Sequence, residues 1–388
     1  MEHYRINWID GMRVEKKHLI DTENFLLSQQ YASNLLQVMP NRYGMFLNPY
    51  DKQLRAETHP RIVFNIDKNT KGGYSIVFNE LHFSAISPEG TLIGVSLDSF
   101  ARESAKTSFI IDVPDEQMQH AGSIYLVLLF RPYETIPFGE ISNDSNELPL
   151  RTPYSRIRCY IESVSGRQDT KTKYTNIAGP NHFPIAKLLV ENRELSVDEN
   201  YIPPTCNFFS HHALQSELNN AISRLSTIEN SIIDTLKELS LNGRGYGAEL
   251  LPFLTSLLQK LNISVTNTRT YLENFGSNAS PFQFVIELLT LSRNFFNLLN
   301  SDLKNSDALR NQWGKSNIRT HDFELIVKND LTRYEHFDML PTLETCRKLL
   351  GNFFTEIARK EKYFGLADSP KEKPRTFSPQ QGEDVPEF

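Results

Sequence analysis

The feature that most constrains this chain is a stripe. Leu214, Leu218, Ile222, Leu225, Ile228, Ile232, Leu236 and Leu239 advance by 4, 4, 3, 3, 4, 4 and 3 positions. The mean step is about 3.6, the period of an α-helix, so the stripe predicts one long helix with a single apolar face. Ser226, Glu229 and Asn230 fall off it. "NGRGYG" (242–247) ends this helix, and "LLPFLTSLLQKLNI" (250–263) begins another. "NFGSNASP" (274–281) breaks the pattern again, with Ser280 as a candidate N-cap and Pro281 at the first helical position. "FQFVIELLTLSRNFFNLLN" (282–300) and "TLETCRKLLGNFFTEIARKEKYF" (342–364) read as further helices. Helices joined by short breaks pack as antiparallel neighbours, so residues 205–365 are expected to form a helical bundle. The mixture of Leu and Ile also permits a three-stranded seam, with Leu214, Leu218, Ile222, Leu225, Ile228 and Ile232 as its candidates.

Residues 1–204 have a different character. "RIVFNI" (61–66), "YSIVFNELHF" (74–83), "TLIGVSL" (91–97), "FIIDV" (109–113), "IYLVLLF" (124–130) and "RIRCYIESV" (156–164) are rich in β-branched and aromatic residues. Turn formers such as "KNTKGG" (68–73) and "SPEG" (87–90) separate them. Short strands without alternating helices imply an antiparallel β-sandwich. One helix interrupts early, over 17–38, with Leu19, Leu26, Leu27, Tyr31 and Leu35 on one face and Pro40 ending the run. The fold expected is therefore α+β and multidomain: an N-terminal sandwich, then a helical bundle. The end, 366–388, has four prolines and many charges. It is expected to be disordered when free, because it cannot bury enough surface to offset its ordering entropy.

Composition narrows the function. With 388 residues and a net charge of −6, the chain has no basic stripe of the kind that neutralises phosphates, which argues against nucleic acid. Cys159, Cys206 and Cys346 are too far apart for a zinc site or a disulfide framework, and read as reduced, buried thiols. The longest apolar run has seven residues, against about 20 for a membrane span. A cytoplasmic protein is expected.

The candidates for chemistry are weak. "GRGYG" (243–247) lacks the Lys and Ser/Thr of a phosphate loop and follows a helix, so it reads as a helix-breaking turn. His211 and His212 are adjacent and would point about 100° apart on a helix, a poor metal pair. In "YEHFD", Tyr334, His336 and Asp338 lie within five residues. No ligand-spaced partner or nucleophile elbow accompanies them, so a polar knot fixing a turn before the last helix is the better reading than an active site. No cofactor or metal is expected.

One opening stretch is left over. "INWIDGMRVEKKHLI" (6–20) is too polar for a signal peptide. Trp8 is either an interface anchor or a core filler of the sandwich. The stretch resembles the start of the TssK family, the baseplate adapters of bacterial type VI secretion systems. Trp8, Asp10, Gly11, Met12 and His18 match that family's W-x-[ED]-G-M-x-L-x-P-Q-H-F opening. Lys16 stands in place of its Pro, Leu19 in place of its Phe, and Arg13-Val14 in place of its Phe-Leu pair. Further segments keep the family's order: Tyr43-Gly44, "SPEGT" (87–91), the stretch from 184 ending in Asp198 and Pro203-Pro204, the helix at 280–299, and Tyr334-x-His336-x-Asp338.

The resemblance implies a structural role without catalysis. It implies a homotrimer whose β "shoulder" (1–204) docks on the wedge proteins TssF and TssG. The helical "neck" (205–365) would associate the protomers. It implies a place in the bacterial cytoplasm, on the cytoplasmic side of the inner membrane, where the family's C-terminal head contacts a membrane-side anchor. The chain ends 50 residues after Asp338, so that head is expected to be missing or reduced. A phage-type receptor-binding or tail adapter, and an enzyme using His336 and Asp338, are the alternatives.

Overall fold

The computed structural model describes residues 5–35, 41–46, 60–70, 72–97, 109–119, 121–138, 154–166, 177–242, 249–315, 318–359 and 363. The tail at 366–388 and the "GRGYG" turn lie outside them.

Two antiparallel sheets form the N-terminal part. The first contains β1 (Gly44–Phe46), β2 (Arg61–Lys68), β3 (Tyr74–Ile86), β4 (Leu92–Ser96) and β5 (Phe109–Val113). The long β3 is its spine. β2 and β1 pair along one edge of β3, and β5 and β4 along the other. The second sheet has the order β7-β6-β8-β9, with β6 (Ser123–Phe138), β7 (Tyr154–Ser165), β8 (His182–Glu191) and β9 (Glu194–Val197). The turn between β8 and β9 places Asn192 and Arg193 at φ 51° and 64°. Two successive positive φ values give a turn whose twist matches that of the hairpin.

Alternation then builds the core. Ile76, Phe78 and Phe83 of β3 meet Leu126, Leu128 and Phe130 of β6 and Phe183 and Leu188 of β8 in one buried cluster. Cys159 belongs to the same cluster, and burial pushes its thiol pKa up to about 12. The sandwich expected from the sequence is present, but β1, β8 and β9 were not read as strands there.

The early helix, α1 (Lys16–Leu35), differs from expectation. No residue from 5 to 34 is buried, and Leu19 and Leu26 are among the exposed apolar side chains. Among the described residues the predicted face finds no core, and contacts with the sandwich are seen at the end of the helix. There Asn34 Nδ2 donates to the Gly90 carbonyl (2.9 Å), and Tyr31 and Tyr133 lie edge to face.

A short α2 (Asp115–Met118) joins β5 to β6. The C-terminal part is helical: α3 (His212–Asn242), α4 (Leu250–Phe275), α5 (Pro281–Leu299), α6 (Leu303–Lys315), α7 (Thr320–Asn329), α8 (Leu340–Lys348) and α9 (Thr355–Ala358). A π-helical turn at Leu349–Phe354 links α8 to α9 within the segment read as one helix. The stretch before residue 342, irregular to the eye, holds α6 and α7, and it buries Trp313 completely. The α5 start is a capping box: Gln283 N–H donates to Ser280 Oγ, and Ser280 N–H donates to Gln283 Oε1, with Pro281 in the first turn.

The stripe on α3 lies inside the chain. Leu214, Leu218, Leu225, Ile228 and Ile232 are buried in the helical core, and Ile222 packs partly buried against it. They face α4 and the α8–α9 segment, which runs beside α3 in the same direction. Arg347 Nε pairs with Glu217 (2.6 Å) at one end of that contact, and Thr235 Oγ1 donates to the Ala358 carbonyl (2.8 Å) at the other. A seam between copies through these six residues would require the helices of each copy to open first. The period marked a buried face correctly, but the partner is the chain itself.

Candidate functional site

Apart from the α3 stripe and the α5 cap, two groups of the residues singled out along the sequence define places of their own. The first is the joint between sandwich and helices, entered at 201–211. Pro204 offers its carbonyl to Met45 N–H (2.8 Å), and Cys206 N–H returns to the Met45 carbonyl (2.9 Å), so this linker pairs with β1 as a parallel bridge through Thr205. Gly44 permits the approach. Its φ is +105°, and a Cβ there would sit 2.1 Å from the Pro204 carbonyl oxygen. Cys206, expected to be buried, is only partly so as a residue, and its thiol donates to the Gly44 carbonyl (3.4 Å).

Tyr334, His336 and Asp338 close the joint from the helical side. The His336 ring is buried (3% exposed) and both of its nitrogens are engaged. Nδ1 lies 2.8 Å from the Tyr334 hydroxyl and Nε2 lies 2.8 Å from the Tyr43 carbonyl. A carbonyl only accepts, so Nε2 carries the proton and Nδ1 accepts from Tyr334. Burial holds the His336 pKa down at about 4. Burial likewise raises the Tyr334 hydroxyl well above its ordinary value. The imidazole is therefore a neutral strut between Tyr43, the residue before β1, and the turn before α8.

Asp338 completes the joint from the other side. Lys187 of β8 reaches Asp338 (3.3 Å) and Asp198 (3.8 Å), and Tyr125 directs its hydroxyl at Asp338 (3.5 Å). Next to them the buried Tyr201 hydroxyl donates to the Phe337 carbonyl (2.8 Å). A cleft of about 300 Å³ opens beside this group, lined by Tyr125, Lys187, Arg333, Glu335 and Asp338 among others. Lys187, Tyr125 and Tyr201 were not singled out from the sequence. The signal was available: a lone lysine in the apolar run "PIAKLLV" (184–190) needs carboxylate partners to be tolerated.

The second place is the N-terminal arm. Trp8 is 47% exposed and stands edge to face with His18 at 6.0 Å. It does not fill the sandwich core. Gly11 has a φ of +78°, and Met12 N–H donates to the Ile9 carbonyl (3.1 Å), so Asp10 and Gly11 form a tight turn. His18 Nδ1 accepts from Glu15 N–H (3.2 Å), which caps the start of α1. This arm makes none of the joint's contacts described above. Among the described residues no group of three or more His, Cys, Asp or Glu side chains is placed to hold a metal, and no helix is long and apolar enough to cross a membrane.

The solved structures similar to this chain settle what the architecture is. A crystal structure of TssK matches over 90% of this chain and 70% of its own, at 14% identity and a TM-score of 0.50. The chain has the TssK fold. Two baseplate assemblies also match. One is a type VI secretion system baseplate complex (TM-score 0.49, 13% identity, 90% of this chain and 100% of that one). The other is a TssK–TssF–TssG baseplate subcomplex (TM-score 0.45, 15% identity, 91% and 100%). The fold statement rests on the first. No protein-family model matches the chain, and no curated protein matches it. The segments at 43–44, 198–204 and 334–338 meet at the joint of sandwich and helices.

Proposed function

We propose that this chain is a structural subunit of a type VI secretion baseplate, a trimeric adapter that links the TssF–TssG wedge to a membrane-side anchor. One observation carries the reading. Segments scattered over nearly 300 residues, each resembling TssK only weakly, converge on one hydrogen-bonded joint in a chain with the TssK fold. Such a joint fixes the sandwich against the helices, which is what an adapter needs in order to transmit position. The mechanism is binding and geometry: three copies raise avidity without a tighter single contact. The shoulder, 1–204, presents the wedge-facing surface, and the neck, 205–365, stands on the anchor side. Within this reading the protein works in the bacterial cytoplasm, at the inner membrane.

The geometry favours a structural role for His336 and Asp338 over a catalytic one. The imidazole has no free nitrogen, and the carboxylate is tied to Lys187. A group that serves as acid or base must reach the proton it moves.

The test is solution mass by light scattering, alone and with purified TssF–TssG. The expected result is about three times 44.7 kDa, shifting upward when the wedge proteins are added. A single-chain mass that TssF–TssG leaves unchanged would overturn the adapter reading. Binding to an envelope glycan instead would favour the phage-type tail adapter.

A further inference from the structure

Two exposed surfaces of this chain complement one another. The first is the arm and the start of α1, where Trp8, Ile9, Val14, Leu19 and Ile20 are exposed together. Over residues 5–20 the arm carries Arg5, Arg13, Lys16 and Lys17 against only Asp10 and Glu15. Among the described residues these cationic and apolar side chains stay exposed, which suits a partner that is apolar at its centre and acidic at its border.

The second is the outer face of the first sheet. Ile76, Phe78 and Ile111 point inward, so their strand neighbours point outward. Val77 pairs with Asn65 and Ile110, and Val63 pairs with Glu80, which sets an apolar centre. Ile110 is 57% exposed and Val63 47%. The next row outward joins Ser75 to Asp67 and Asp112, two exposed carboxylates. Glu80, partly buried, is neutralised by its pair with Arg61 (2.6 Å), so the acidic border is Asp67 and Asp112.

We propose that the N-terminal arm of one copy docks on this outer sheet face of a second copy. Trp8 and Ile9 cover Val63, Val77 and Ile110, and Lys16 and Lys17 face Asp67 and Asp112. The inference rests on the trimeric reading above and names the contact that makes the trimer. Symmetry favours it. A three-fold ring requires two different patches on each chain that fit each other, and arm and sheet face are two such patches. The α3 stripe is not a rival, because it is already buried within its own chain.

The full chain tests this by light scattering over a dilution series. Ile110→Lys and, separately, Trp8→Ala change exposed side chains, so the circular dichroism spectrum stays the same while the mass falls to one chain. K16E/K17E and D67K/D112K each raise the concentration at which the trimer dissociates, by ~10-fold or more. Combining all four changes reverses both charges and returns that concentration to within ~2-fold of the parent. A parent trimer that survives Ile110→Lys and Trp8→Ala, or a combined variant no better than its halves, overturns the arm contact and leaves the adapter reading standing. A parent protein that is monomeric at every concentration overturns the trimer itself, before any variant is made.

Discussion

Two long helices of this protein have opposite lives. α3 places Leu214, Leu218, Leu225, Ile228 and Ile232 in a closed core between α4 and the last helical segment. α1 carries leucines too, yet none of its described side chains is buried and Leu26 is 61% exposed. The difference lies in what surrounds them. Most helical stability comes from tertiary packing of an apolar face rather than from propensity. α3 has that packing within one chain, whereas among the described residues α1 meets the sandwich at Asn34 and Tyr31.

The contrast can be broken by truncating each helix in the same way. Leu225→Ala removes a fully buried side chain, and unfolding stability should drop by about 3 kcal/mol, read from the urea midpoint. A loss under ~1 kcal/mol would mean that α3 packs far more loosely than described.

The joint should be nearly as sensitive, and it should report pH. The His336 pKa of about 4 lies below its ordinary 6.5. The unfolded chain therefore takes up the proton first as pH falls. The stability is fully present above about pH 6.5 and is lost as pH drops toward 4, on the order of 3 kcal/mol in all. Comparing urea midpoints at pH 7 and pH 4.5 for the parent and for His336→Asn isolates the effect. Identical acid sensitivity in both proteins would remove His336 from the explanation.

A smaller effect is expected at the start of α5. Ser280→Ala deletes one half of the capping box and should cost about 1 kcal/mol, visible as a lower melting temperature. An unchanged melting temperature would show that Pro281 and the packing of Phe284 hold the helix start alone. The smallest effect sharpens the comparison most. Leu26→Ala, at an exposed position of α1, should shift the stability of the single chain by less than ~0.5 kcal/mol. A loss as large as that of Leu225→Ala would show that α1 is buried in the folded protein.

Much of this was legible before any coordinates. The α3 period, the Ser280 cap, the Pro281 start and the sandwich strands are local patterns, each visible within about ten residues because hydrogen bonding and side-chain periodicity act over that range. The joint was not legible. "YEHFD" read as a knot fixing its own turn, yet His336 reaches Tyr43 across 293 positions and Asp338 reaches Lys187 across 151. Resemblance marked these residues without saying that they meet. The seam was misplaced for the same reason: periodicity shows that a face is apolar and leaves open which surface covers it.

By itself, then, the sequence determined the two kinds of element and their order: strands first, read as far as residue 164, and helices after residue 205. The tertiary structure decided which apolar faces close within one chain and which stay open. It also decided that a histidine near the C-terminal end of the helices would brace the first strand of the sandwich. Burial and long-range hydrogen bonds depend on what the folded chain brings together, and no local pattern contains that information.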